Sequence, residues 1–121
     1  MARILVIDDE PDTREMLEQI LKAAGHEVIL AADGREGVEQ HRASPAELVI
    51  TDLYMPIQDG METIRELRSR FPTVAIIAMS GKLDTGTMLS IAQNVADVGI
   101  LHKPFLTDEL LAAVARALGG K

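Results

Sequence analysis

Residues 3–12 read Arg3-Ile4-Leu5-Val6-Ile7-Asp8-Asp9-Glu10-Pro11-Asp12. An aliphatic run without polar alternation predicts a short strand, Arg3 to Ile7, buried on both faces, since a strand with one wet face would alternate. The abrupt change to acids at Asp8 ends it. Pro11 suits the first turn of a helix, where a missing N–H costs nothing. Met16, Leu17, Ile20, Leu21 and Ala24 then recur at helical spacing, and Gly25 stands just past the helix end. A doubly buried strand running straight into an amphipathic helix is the repeating unit of a parallel α/β sheet.

The unit recurs along the chain. Further strands are predicted at Glu27 to Ala31, Leu48 to Thr51, Val74 to Met79 and Val98 to Leu101. Asp33-Gly34 makes a turn and caps a helix from about Arg35 to Arg42. A helix from Met61 to Arg70 ends at Phe71-Pro72. Another carries Met88, Leu89, Ile91, Ala92 and Val95. Thr107 is the expected N-cap of a last helix, with Leu110, Leu111, Val114 and Leu118 inward. Five βα units in strict alternation predict a doubly wound parallel sheet with helices on both faces. No linker, low-complexity tract or solenoid repeat interrupts them, so residues 1–121 read as one domain.

Composition narrows the function. Hydrophobic residues make up 47% of the 121, enough for a core, but the aromatics are only Tyr54, Phe71 and Phe105. A stacking platform for bases is therefore excluded. With no cysteine, thiol catalysis, disulfides and Cys-ligated zinc are excluded too. The formal charge of −7 argues against direct nucleic-acid binding. No apolar run approaches the roughly 18 residues of a membrane span, and the start does not resemble a signal peptide. A cytoplasmic protein without membrane contact is expected.

Ligands of open parallel sheets bind beyond the carboxyl ends of the strands. The first strand ends at Asp8-Asp9, the third at Asp52, the fourth at Ser80 and the fifth at Lys103. A strand order of 2-1-3-4-5 would set the first and third strands side by side and bring Asp8, Asp9 and Asp52 together. Three carboxylates in one cleft repel, and a divalent cation with oxygen ligands relieves them. Lys103 adds a positive charge and Ser80 a hydroxyl. Such a set suits a phosphoryl group carried on a carboxylate. Each residue alone has a plainer reading as a cap, a turn or a loop start. Four strand ends suited to one site carry more weight than any one of them.

These segments together resemble the receiver domain of two-component response regulators. Ile4 to Glu10 resembles the family's first strand and acidic pair. Leu48-Val49-Ile50-Thr51-Asp52-Leu53-Tyr54-Met55-Pro56 resembles its phosphoacceptor segment, and Asp59-Gly60 the turn beyond. Ile76 to Gly81 resembles the strand ending in a hydroxyl and a small residue, and Lys103-Pro104-Phe105 the family's Lys-Pro-Phe. The resemblance implies a flavodoxin-like fold of order 2-1-3-4-5. It implies that Asp52 takes phosphate from a phosphohistidine of a sensor histidine kinase or phosphotransfer protein. It implies that Mg2+ (or Mn2+) is bound by Asp9, by Asp8 through water, by Asp52 and by the Tyr54 backbone carbonyl. Ser80 and Lys103 would hold phosphoryl oxygens, and a conformational shift would reach an output domain or downstream protein. Such a domain would catalyse only its own phosphorylation and dephosphorylation.

The resemblance departs at one switch position. Three residues before the lysine the family often carries Tyr or Phe, whereas this chain has Ile100, which has neither a ring nor a hydroxyl. Tyr54 and Lys82 lie two residues past Asp52 and Ser80, at positions expected to tune phosphoryl lifetime. His26, His41 and His102 read as helix-end or surface residues. Two other functions stay open: an interaction module that is not phosphorylated, and an aspartyl-phosphate phosphatase, whose acids are more often spaced Asp-x-Asp.

Overall fold

The computed structural model describes residues 2–53, 60–81 and 98–119. Five strands, β1 (Arg3–Ile7), β2 (Glu27–Ala31), β3 (Leu48–Asp52), β4 (Ala75–Ser80) and β5 (Val98–His102), form one sheet. Their order is β2-β1-β3-β4-β5, and every neighbouring pair is parallel. Four helices are described: α1 (Pro11–Ala23), α2 (Gly34–Ala43), α3 (Gly60–Arg70) and α4 (Thr107–Gly119). The helix expected around residues 88–95 lies outside the described residues.

Successive strand residues point to opposite faces, so the continuous aliphatic runs feed two cores at once. Leu5, Ile7, Val49, Ile76 and Ala78 pack with Val38 of α2 and with Ile64 and Leu67 of α3. Ile4, Val6, Leu48, Ile50, Ile77 and Met79 pack on the other face with Leu17 and Leu21 of α1 and Leu110 and Val114 of α4. Each of these Val, Leu, Ile and Met side chains taken fully out of water contributes about 1.5–3 kcal/mol. Among the described residues, no helix is long and apolar enough to cross a membrane.

Local chemistry sets the boundaries. Gly25 takes a positive φ of 95°, its N–H bonds Lys22 O, and the His26 N–H bonds Leu21 O. This left-handed stop is the role expected of Gly25. Asp33 caps α2 by accepting from the Glu36 N–H, while the Glu36 carboxylate accepts from the Ala32 N–H.

Three strand ends, one strand start and one cap differ from expectation. Strands β3, β4 and β5 each run one residue further, to Asp52, Ser80 and His102. β4 starts at Ala75 because the Val74 N–H is taken by Phe71 O in the turn after α3. Thr107 is the first helical residue rather than the N-cap. Leu106 holds the cap position, its carbonyl accepts from the Leu110 N–H, and its own N–H donates to the Glu109 carboxylate.

Candidate phosphoryl and metal site

The sheet's register brings the acids together. Ile7 pairs with Thr51 across β1 and β3, so the chain leaves each strand at the same edge, into Asp8 and Asp52. Asp52 pairs with Met79, and Ser80, the next residue, pairs with His102. Lys103 follows His102 directly, and its backbone N–H donates to Ser80 O at 2.7 Å. The ends of β1, β3, β4 and β5 thus adjoin.

Oxygens of Asp8, Asp9 and Asp52 lie within 4.8 Å of one another. Asp8 is fully buried and Asp52 nearly so, while Asp9 is exposed. Lys103 Nζ lies 3.2 Å from Asp8 Oδ2 and 3.2 Å from Asp52 Oδ2. One ammonium therefore straddles two of the three carboxylates. Burial alone would lower the Lys103 pKa, but attraction to Asp52 and Asp8 and hydrogen bonds to both outweigh it, and the net shift is upward. The lysine stays charged wherever the carboxylates are ionised.

Among the described residues, three carboxylates against one lysine leave excess negative charge in a mostly buried pocket. Oxygen donors at this spacing fit a small hard divalent cation and do not suit a soft one. The exposed Asp9 is a carboxylate that can be offered to an ion without breaking another bond: among the described residues it has no hydrogen-bond partner. Ser80 is fully buried at the end of β4. Ile100 sits in β5 opposite Ala78, partly buried against the core shared with α2 and α3. Tyr54 and Lys82 lie outside the described residues.

Three readings from the sequence need correction. His41 is not a surface residue. It is 3% exposed, its Nδ1 accepts from the Ala46 N–H at 3.1 Å, and its ring meets Phe71 edge-on at 4.4 Å. The cause is its place on the inward side of α2, where a histidine can satisfy a backbone donor that an aliphatic could not. Met16, expected on the buried stripe of α1, is 42% exposed and lines an apolar depression with Lys103, Pro104 and Phe105. Ala24, expected on the same stripe, is the exposed C-cap of α1. His102 is exposed, as expected.

Sequence reasoning passed over Arg14. It stands in the first turn of α1, and its Nη1 donates to the Asp8 carbonyl at 2.6 Å. A cation at a helix N-terminus opposes the helix dipole, and that mismatch was the legible sign of a specific partner.

A parallel sheet of this order with an acid cluster and a bridging lysine at its carboxyl edge defines the phosphoacceptor class of signalling domain. Residues 4–115 match the family model of the response regulator receiver domain, and the chain belongs to that family. It is 37% identical over 117 residues to the response regulator MprA of Mycolicibacterium vanbaalenii, covering 97% of this chain and 50% of that protein. It is 33% identical over 118 residues to hybrid signal transduction histidine kinase D of Dictyostelium discoideum, covering 95% of this chain and 7% of that one. The chain thus spans half or less of these relatives. Among solved structures, it is similar to a response regulator receiver domain protein from Clostridium thermocellum, with a TM-score of 0.91 and 30% identity, covering 99% of this chain and 96% of that one. The chemotaxis protein CheY4 of Vibrio cholerae gives a TM-score of 0.89 at 31% identity, covering 98% and 99%.

Proposed function

We propose that Asp52 is the phosphoacceptor of a two-component phosphorelay. The observation that carries this reading is the Lys103 ammonium held 3.2 Å from both Asp8 and Asp52 beside an exposed Asp9 that has no partner among the described residues. An Asp52 carboxylate oxygen attacks the phosphorus of a phosphohistidine on a sensor histidine kinase or phosphotransfer protein. The P–N bond breaks, its electron pair stays on the imidazole nitrogen, and that nitrogen takes a proton from water. Lys103 turns from the carboxylates toward the incoming phosphoryl oxygens, where its charge is worth most in a closed site. The Ser80 hydroxyl donates to another of those oxygens.

Mg2+ (or Mn2+) bound by Asp9, Asp8, Asp52 and the Tyr54 carbonyl supplies charge neutralisation for the phosphoryl oxygens. Hydrolysis of the acyl phosphate resets the site, with Tyr54 and Lys82 tuning its rate, and the chain turns over no other substrate. Residues 1–121 act as one receiver unit. The signal leaves by repacking around Ile100 toward an output domain or a downstream protein. Direct nucleic-acid or membrane contact has no place in this reading, which suits a cytoplasmic protein.

Intact-mass measurement after adding a small phosphodonor and Mg2+ tests it. A single phosphoryl addition, lost in Asp52→Asn, is expected. Multiple turnover of phosphomonoesters would indicate a phosphatase instead, and no addition under any condition would leave an interaction module.

A further inference from the structure

Asp8 and Asp9 are neighbours with opposite constraints. Every polar group of Asp8 is engaged. Its N–H donates to Ala31 O at 3.1 Å, its Oδ1 accepts from the Glu10 N–H at 2.8 Å, its Oδ2 accepts from Lys103, and its carbonyl accepts from Arg14. Asp9 is exposed and, among the described residues, bonds to nothing. The peptide unit joining them is planar, so whatever holds the Asp8 carbonyl also fixes the Asp9 N–H and Cα. Arg14 holds it, and among the described residues Arg14 forms no ion pair, so this 2.6 Å bond is the visible use of its guanidinium.

We propose that Arg14 is a positioning residue for the metal-binding arm: by clamping the Asp8 carbonyl it fixes the Asp8–Asp9 peptide plane and so aims the Asp9 carboxylate into the acid cluster. This rests on the divalent-cation reading of that cluster. α1 starts at Pro11 and Arg14 stands one turn in, its own N–H bonded to Glu10 O at 3.1 Å. The helix is anchored to the buried core through Leu17 and Leu21. The arginine thus ties a loop bearing a ligand to a rigid element, which is how outer partners orient metal ligands.

Charge and positioning predict opposite signs. As a charge alone, Arg14 repels a cation, so removing it should tighten Mg2+ binding. As a positioning group, removing it should weaken binding by roughly tenfold, the lower end for such outer partners. Arg14→Met keeps most of the stem without a donor, and Arg14→Lys keeps both charge and a donor. Mg2+ titration of the whole chain, followed by backbone amide NMR shifts, reads the affinity, and thermal melting in EDTA reads the fold. The expected result is about tenfold weaker binding for Arg14→Met, substantial recovery in Arg14→Lys, and shifts concentrated at the Asp9 amide. Unchanged or tighter binding in Arg14→Met, with the parent chain binding Mg2+ normally, overturns the role of Arg14 and leaves the metal site standing. A parent chain that does not bind Mg2+ overturns the metal reading and this inference with it.

Discussion

Replacing Lys103 by Met keeps an unbranched stem and removes the charge that the acid cluster is built around. Two carboxylate oxygens at 4.8 Å, the outer limit of their separation here, repel by roughly 3 kcal/mol at an effective dielectric constant of about 20. Removing one partner of a fully buried ion pair costs about 3–5 kcal/mol. Asp8 is closed to solvent, but the side chains of Asp52 and Lys103 keep 11% and 24% exposure, which reduces that figure. A loss of about 2–3 kcal/mol is therefore expected for Lys103→Met at neutral pH, measured by urea denaturation in EDTA.

The same geometry fixes the response to metal. Lys103 occupies one oxygen each of Asp8 and Asp52, so a Mg2+ ion bound as proposed would compete with the ammonium for these groups. The variant should bind Mg2+ more tightly than the parent, and saturating Mg2+ should restore most of its lost stability, since a ligand of the native state stabilises by mass action. A stability deficit of equal size with and without Mg2+, or weaker Mg2+ binding in the variant, would refute this account of the lysine as a stand-in cation.

Two further outcomes follow from the packing. A Cβ on Gly37 would lie 2.3 Å from Ile7 Cδ1 and 2.7 Å from its Cγ1, so Gly37→Ala should lose about 1–3 kcal/mol to overpacking against a helix-propensity gain of about 1 kcal/mol. Ile7→Val removes the nearest methyl, so the double variant should be more stable than the sum of the singles by about 1–2 kcal/mol in a denaturation cycle; strict additivity would sink the close-approach reading. Burial lowers the His41 pKa, so its contribution is complete above the unfolded value of about 6.5 and is lost as pH falls through the folded value, by at most about 1.4 kcal/mol per pH unit. An imidazole NMR titration should place its midpoint below the unperturbed histidine value of about 6.5, and a midpoint at or above it would contradict the bonded neutral ring.

The sheet was legible because its signal is redundant. Four of the five strands carry aliphatic runs with almost no polar interruption, and each side chain in them finds one of two cores. The site was legible for a related reason: in a parallel sheet the strand ends share one edge, so Asp8, Asp52, Ser80 and Lys103 could be placed on that edge from sequence position, and the strand order implied by the family resemblance made them neighbours. His41, Met16 and Arg14 were not, and each failed differently. The periodicity of α2 places position 41 inward, but a histidine there reads as polar until its partner, the Ala46 N–H, is known. Met16 obeys the helical period yet falls beyond the edge of the core, beside Phe105, which no local pattern reveals. Arg14 makes a contact six residues away that depends on how the chain turns between β1 and α1, and loop geometry is the part of a sequence least determined by periodicity.

The route out of the site is constrained by what Ile100 can and cannot do. Lys103 is bound at both ends: its ammonium to Asp8 and Asp52, its backbone N–H to Ser80 O. A phosphoryl group that drew the ammonium away from the carboxylates would leave the backbone tie intact, so the side chain could respond without displacing β5. Ile100 has no ring to rotate. It lies opposite Ala78 and packs on the core that also holds Ile7 and Leu53, the residues adjoining Asp8 and Asp52 in the chain. A change around Asp52 therefore has a direct packing path to Ile100 through that core, independent of any hydroxyl. Leu101, the next residue, faces the opposite core with Met79 and Leu110. Movement of the strand itself would have to disturb both cores together, whereas a rotamer change at Ile100 disturbs one, and close-packed interiors favour the smaller disturbance.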